Sequence, residues 1–156
     1  MHHTPITIER GDYCLSTDPA RLEAEAVRAY LDRSYWAQGI PLEVVERALR
    51  GSLCFGLYYR GKQVGLARVI TDGATFAYLC DVYVLEEHRG QGLSKWLMET
   101  ILAHPHLQGL RRFVLATRDA HGLYAQFGFQ PPARPDAYME IVRPNPYLEA
   151  THAPPS

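Results

Sequence analysis

Residues 75–94 read TFAYLCDVYVLEEHRGQGLS. The first eleven residues are apolar on both strand faces, with Asp81 as the single charge, which is the pattern of a strand covered on both sides. Glu86-Glu87-His88 leads into Arg89-Gly90-Gln91-Gly92-Leu93-Ser94, and a helical period starts at once, with Leu93, Trp96, Leu97, Thr100, Ile101 and His104 on its inner side. A strand that ends in a glycine-bearing turn and opens a helix aims several backbone N–H groups at one point. Such a point suits a phosphate group.

Upstream, Leu53, Phe55, Leu57 and Tyr59 alternate with Cys54, Gly56 and Tyr58, and Val64, Leu66 and Ile70 mark a second strand. Arg60-Gly61-Lys62 and Asp72-Gly73 supply hairpin turns, so these strands are expected to be antiparallel. Two helices are expected before them. One starts at Thr17-Asp18-Pro19 and runs to about Asp32, with Leu22, Val27, Tyr30 and Leu31 as its stripe. The other opens at Pro41 and ends at Gly51. Tyr13 to Ser16 reads as a short first strand. Downstream, Phe113 to Thr117 reads as a strand, Asp119 caps a short helix carrying Leu123, Tyr124 and Phe127, and Tyr138 to Val142 forms a last strand. Residues 1–143 make one domain, and 144–156 a loose proline-rich tail. This order of elements is α+β.

Composition narrows the function classes. The chain has 156 residues, 16 Lys and Arg against 17 Asp and Glu, and 47% apolar residues, enough for one ordinary core. Its longest basic block is Arg111-Arg112, which argues against a nucleic-acid surface. No apolar run approaches the roughly 20 residues that span a bilayer, and the N-terminus lacks a signal-peptide pattern, so a cytoplasmic location without membrane contact is expected. Cys14, Cys54 and Cys80 sit in apolar segments with no CxxC pair and read as buried thiols. The histidines form no metal-ligating set, so no metal is expected.

Arg89-x-x-Gly92-x-Ser94 resembles the Gln/Arg-x-x-Gly-x-Gly/Ala signature of the GNAT family of N-acetyltransferases. Val82-Tyr83-Val84 sits at the family's distance before the turn, and Asp119-Ala120-x-x-Leu123-Tyr124 followed by Phe127-Gly128-Phe129 is similar to the family's later segment. The resemblance spans Tyr13 to Arg143 and is firmest from Asp81 to Phe129. Ser94 departs from the signature but is small, and Asp119 stands where asparagine is common. Two rival glycine motifs fail. Gly90-Gln91-Gly92 lacks the third glycine of a dinucleotide fingerprint and follows antiparallel hairpins. Gly56-x-x-x-x-Gly61-Lys62 is followed by Gln63 and a strand, where a P-loop needs Ser or Thr and a helix.

The resemblance implies a mixed, mostly antiparallel central sheet, splayed at the cofactor site and flanked by helices. It implies acetyl-CoA as co-substrate and transfer of its acetyl group to an amine, here of a small molecule. The backbone of Arg89, Gly90, Gln91, Gly92, Leu93 and Ser94 is then assigned to the pyrophosphate, and Val82, Tyr83 and Val84 to the pantetheine arm, with Asp119 a less secure contact. A backbone N–H near Val82 would stabilise the developing oxyanion. Tyr124 matches the usual general acid, and its ordinary pKa of about 10 keeps it protonated at neutral pH. For the base, Asp81, Tyr78 and a water relay all stay open; simple alternation puts Asp81 on the face opposite both Val82 and Cys80. Tyr35 and Trp36 border the implied acceptor pocket and could hold a cationic amine by cation–π contact. A homodimer is a possible assembly. A non-catalytic acyl-CoA-binding or sensor module is the alternative reading.

Overall fold

A computed structural model of the chain describes residues 3–144 and 146–148. Six strands form one open sheet in the order β1-β2-β3-β4-β5-β6. They are β1 Thr7–Arg10, β2 Tyr13–Ser16, β3 Leu53–Tyr59, β4 Lys62–Thr71, β5 Phe76–Val84 and β6 Arg112–Leu115. Every neighbouring pair is antiparallel except β5 and β6, which are parallel because a helix connects them. The β3–β4 turn has Arg60 at φ 49 and Gly61 at φ 86, the backbone of a two-residue type I′ hairpin. In the next turn, the Asp72 carboxylate accepts from the backbone N–H groups of Ala74 and Thr75 and from the Thr75 hydroxyl.

The helices that cover the sheet are α1 Ala24–Asp32, α2 Leu42–Arg50, α3 Leu93–Ala103 and α4 His121–Ala125. One core cluster packs Leu93, Leu97, Met98 and Ile101 of α3 against Phe55, Ala67, Leu79 and Val84. The other sets Val27, Leu31, Val45 and Leu49 of α1 and α2 against Cys54, Leu66 and Tyr83. β5 is therefore covered on both faces, as its apolar run requires. Gln63, which breaks the P-loop pattern, is buried. Its side-chain carbonyl accepts from Glu23 N–H, and Glu23 Oε2 accepts from Gln63 N–H, tying the start of α1 to the hairpin.

The structure corrects five expectations. A strand, β1, lies before Tyr13; its four residues are all exposed, so the TIER segment shows no buried alternation. The first helix is divided, because Asp18 caps a 3-10 turn at Pro19–Arg21 and α1 begins only at Ala24. Asp119 does not cap α4: Ala120 is the cap residue, and Thr117 Oγ1 accepts from Ala120 N–H instead. Tyr138 to Val142 pairs with no strand, and its apolar side chains face solvent. In the tail, residues 146–148 are helical and Tyr147 packs on the α1–α2 core, whereas 145 and 149–156 lie outside the described residues.

Candidate active site

The sheet opens where the sequence places the site. The β5–β6 ladder stops at Leu79 opposite Leu115, yet β5 continues to Val84. From Cys80 to Val84 the β6-facing edge of β5 thus has no ladder partner. On its other edge, Cys80 pairs with Arg68 and Tyr83 with Leu66, so Asp81 and Val82 together oppose Ala67. This is a β-bulge, and Asp81 adopts the left-handed φ of 49 that it needs.

The bulge corrects the expected facing of Asp81. Its carboxylate lies on the α1–α2 side, with Cys80, rather than opposite it. Oδ2 accepts from Arg68 Nε at 2.8 Å, and Oδ1 accepts from Trp36 Nε1 at 2.8 Å. The Arg68 and Asp81 side chains are only 16% and 10% exposed. Arg68 also donates to Ser52 Oγ. Tyr35 meets Trp36 edge-on at 5.0 Å, and the Arg118 guanidinium lies 3.9 Å from the Tyr35 ring centre. The loop between α1 and α2 is thereby fixed to β5 at one point and to the loop after β6 at another. Tyr35 and Trp36 remain 55% and 42% exposed, although Arg118 covers one face of the Tyr35 ring. Tyr78 is half-buried, and desolvation pushes its phenol pKa up.

The glycine turn has the backbone expected of it. Gly90 and Gly92 have φ 82 and φ 77, values that favour glycine. Gly92 caps α3 without any side-chain hydrogen bond. Among the described residues, the N–H groups of Gly90 to Lys95 have no acceptor in the protein; the first intrahelical bond is Trp96 N–H to Gly92 O. A Cβ on Gly90 or Gly92 would meet nothing within 4 Å. The open space, the unsatisfied donors and the positive end of α3 together fit a pyrophosphate. Arg89 has a structural task as well: its Nε donates to Val84 O at 2.8 Å, closing the end of β5. Gln91 turns away and donates to Tyr13 OH. Leu93 is buried in the core, and Ser94 is half-buried.

Other assigned residues divide by role. Val84 is buried and Val82 partly buried in the α3 core, so only their main chains could reach a ligand. Tyr83 stacks on Tyr30 at 3.9 Å, which makes its side chain structural. Tyr124 is buried, and desolvation raises its pKa. It lines a groove of about 630 Å³ along β6. Asp119 is exposed. Burial pushes the Cys54 thiol up to about 12 and the Cys80 thiol up to about 11. Sequence reasoning missed Arg68 and Arg118. A lone arginine within the apolar run Val64 to Ile70 was a signal equal to Asp81; Arg118 had none. Among the described residues no group of acidic, histidine and cysteine side chains could hold a metal, and no helix is long and apolar enough to cross a membrane.

A mixed sheet splayed beside a glycine turn with unsatisfied amides is the scaffold of an acyltransferase fold. The family described as an acetyltransferase (GNAT) domain matches residues 50–131. A curated Gibberella zeae protein assigned as an acetyltransferase is 41% identical over 146 residues, covering 78% of this chain and 81% of that protein. A crystal structure of a protein assigned to the GNAT family from Xanthomonas campestris is 54% identical, with TM-score 0.85 over 86% of this chain and 96% of the other. A protein from Clostridium acetobutylicum described as a predicted acetyltransferase, solved with acetyl-CoA, shares the fold at 14% identity, with TM-score 0.60 over 90% and 97% of the two chains. This chain belongs to the GNAT acetyltransferase family.

Proposed function

We propose that the protein is an acetyl-CoA-dependent N-acetyltransferase acting on a small-molecule amine. The observation that carries this reading is the unpaired edge of β5 leading directly to the unsatisfied amides of Gly90 to Lys95. Acetyl-CoA would supply an acyl carbonyl activated by a thiolate leaving group. The amides and the α3 dipole bind its diphosphate, and the free edge near Val82 offers main-chain groups to its arm. That a protein of the same fold was solved with acetyl-CoA supports the choice of ligand.

Tyr124 holds a proton for the departing sulfur, and its raised pKa keeps that proton in place across neutral pH. Asp81 is a positioning residue in this reading. Both its oxygens are engaged, one by a cation and one by the Trp36 indole. Tyr78 has a raised pKa and is no base at neutral pH. The amine therefore arrives neutral, its proton already lost to solvent, and its apolar part rests on Tyr35 and Trp36.

Calorimetry with CoA, followed by thiol release from acetyl-CoA with a panel of primary amines, tests the reading. Micromolar binding and amine-dependent release are expected. Binding without turnover on any amine would instead identify a sensor module. No heat with CoA would overturn both.

A further inference from the structure

A row of four side chains crosses the opening of the sheet on its α1–α2 face. Asp81 of β5 accepts from the Trp36 indole at 2.8 Å, Tyr35 meets Trp36 edge-on at 5.0 Å, and the Arg118 guanidinium lies over the Tyr35 ring at 3.9 Å. The last rung of the β5–β6 ladder joins Leu79 to Leu115. Arg118 follows Leu115 by as many residues as Val82 follows Leu79. The row thus ends, on the β6 side, level in register with the stretch of β5 whose main chain is free.

Arg118 closes the row with an uncompensated charge. Among the described residues no carboxylate lies within ion-pair reach of it, and none of its N–H groups has an acceptor. Arg68, by contrast, is matched by Asp81, and Arg33 by Glu86. Stacking on Tyr35 occupies a face of the guanidinium and leaves its in-plane N–H fork free. The ring also holds that fork in place, so less side-chain freedom is lost when a ligand binds. A planar fork matches a carboxylate, which can accept two parallel N–H···O bonds from it. Elsewhere in the row, both Asp81 oxygens and the Trp36 indole N–H are already engaged. An anionic substituent on the acceptor therefore finds one uncompensated cation there, Arg118.

We propose that the acceptor is an amine that also carries a carboxylate, as a free amino acid does, and that Arg118 binds this carboxylate. The side chain of the acceptor lies against Tyr35 and Trp36, and its amino group projects into the opening toward Val82. The inference rests on the acetyl-transfer reading above and names the class of amine within it. The amino nitrogen bonds to the acetyl carbon as the C–S bond breaks. The sulfur leaves with the Tyr124 proton, the nitrogen releases one proton, and that proton restores Tyr124 through solvent. The carboxylate is unchanged.

Rates of thiol release with the standard L-amino acids, each beside its α-carboxamide, test the proposal. The carboxamide is the weaker base and is neutral in larger fraction at neutral pH, so a preference for the acid does not come from reactivity. For at least one amino acid, kcat/KM should exceed that of its carboxamide about 10-fold or more. Arg118→Gln should bring this ratio close to one by raising the KM for the acid, and Arg118→Lys should recover part of it. Arg118 has no other protein partner among the described residues, so both variants are expected to fold. Equal kcat/KM for acid and carboxamide in the unaltered protein, or a preference retained in Arg118→Gln, overturns the proposal. Calorimetry with the same amino acids, with and without CoA, separates this failure from that of the catalytic reading. Binding that needs Arg118 but gives no turnover would sink acetyl transfer and uphold the carboxylate site. Turnover of other amines with no amino acid bound would sink the carboxylate site and leave acetyl transfer standing.

Discussion

The Trp36 indole donates to Asp81 Oδ1 at 2.8 Å across 45 residues of sequence. The bulge in β5 makes this contact possible, because without it Asp81 would point toward α3. The same carboxylate neutralises Arg68, so one side chain links a strained backbone, a buried cation and the aromatic pair Tyr35–Trp36 of the α1–α2 loop.

Asp81→Asn should therefore act on binding more than on chemistry. Asparagine can still accept from Trp36 but leaves the Arg68 charge unpaired, at a cost of about 3 kcal/mol in stability. The KM for the amine should rise several-fold, while the shape of the pH–rate profile stays unchanged. Loss of the acid limb of kcat/KM would instead show that Asp81 is the base.

Gly92→Ala should weaken CoA binding without a steric clash. The space around Gly92 is open, but its φ of 77 costs an L-residue about 1–2 kcal/mol. The turn would relax and its amides diverge. We expect CoA affinity to fall at least 10-fold by calorimetry, with a smaller loss in thermal stability.

Tyr124→Phe should lower the rate of thiol release about 100-fold or more at saturating acetyl-CoA, with CoA affinity nearly unchanged. Desolvation raises the Tyr124 pKa, so its ionisation should not limit activity at moderately alkaline pH. An unaltered rate would remove it from the mechanism.

His104 sets an acid limit on stability. It is buried at the end of α3, and its Nδ1 accepts from His106 N–H. Desolvation, with His106 and His3 nearby, lowers its pKa from 6.5 to about 4. The unfolded chain thus binds the proton more readily than the folded one. Stability is full above pH 6.5 and should fall as pH drops from 6.5 toward 4, by up to about 1.4 kcal/mol per unit. Urea melts at pH 7.5 and 5 should show the loss, and His104→Gln should flatten it.

Much of this fold was legible because its signals are local. The Arg60-Gly61 and Asp72-Gly73 turns, the β5 run and the glycine turn each declare themselves within a few residues. What escaped depends on distant partners. β1 exists because β2 offers it an edge, not because TIER alternates. The bulge at Asp81 needs the register of β4, and the facing of the carboxylate follows from it. Tyr138 to Val142 has strand composition but joins no ladder, because composition supplies no partner edge. In the site, the turn was readable and the Arg68–Asp81–Trp36 link was not, since three separate elements supply it.

The early end of the β5–β6 ladder implies a trade between robustness and activity. Each rung the two strands forgo is cohesion withheld from the resting protein and, in the proposed function, left to the arm of acetyl-CoA. A variant that zipped these strands together as far as Val84 should melt at a higher temperature and lose its grip on CoA. Selection for heat tolerance alone would be expected to drift toward that inert form.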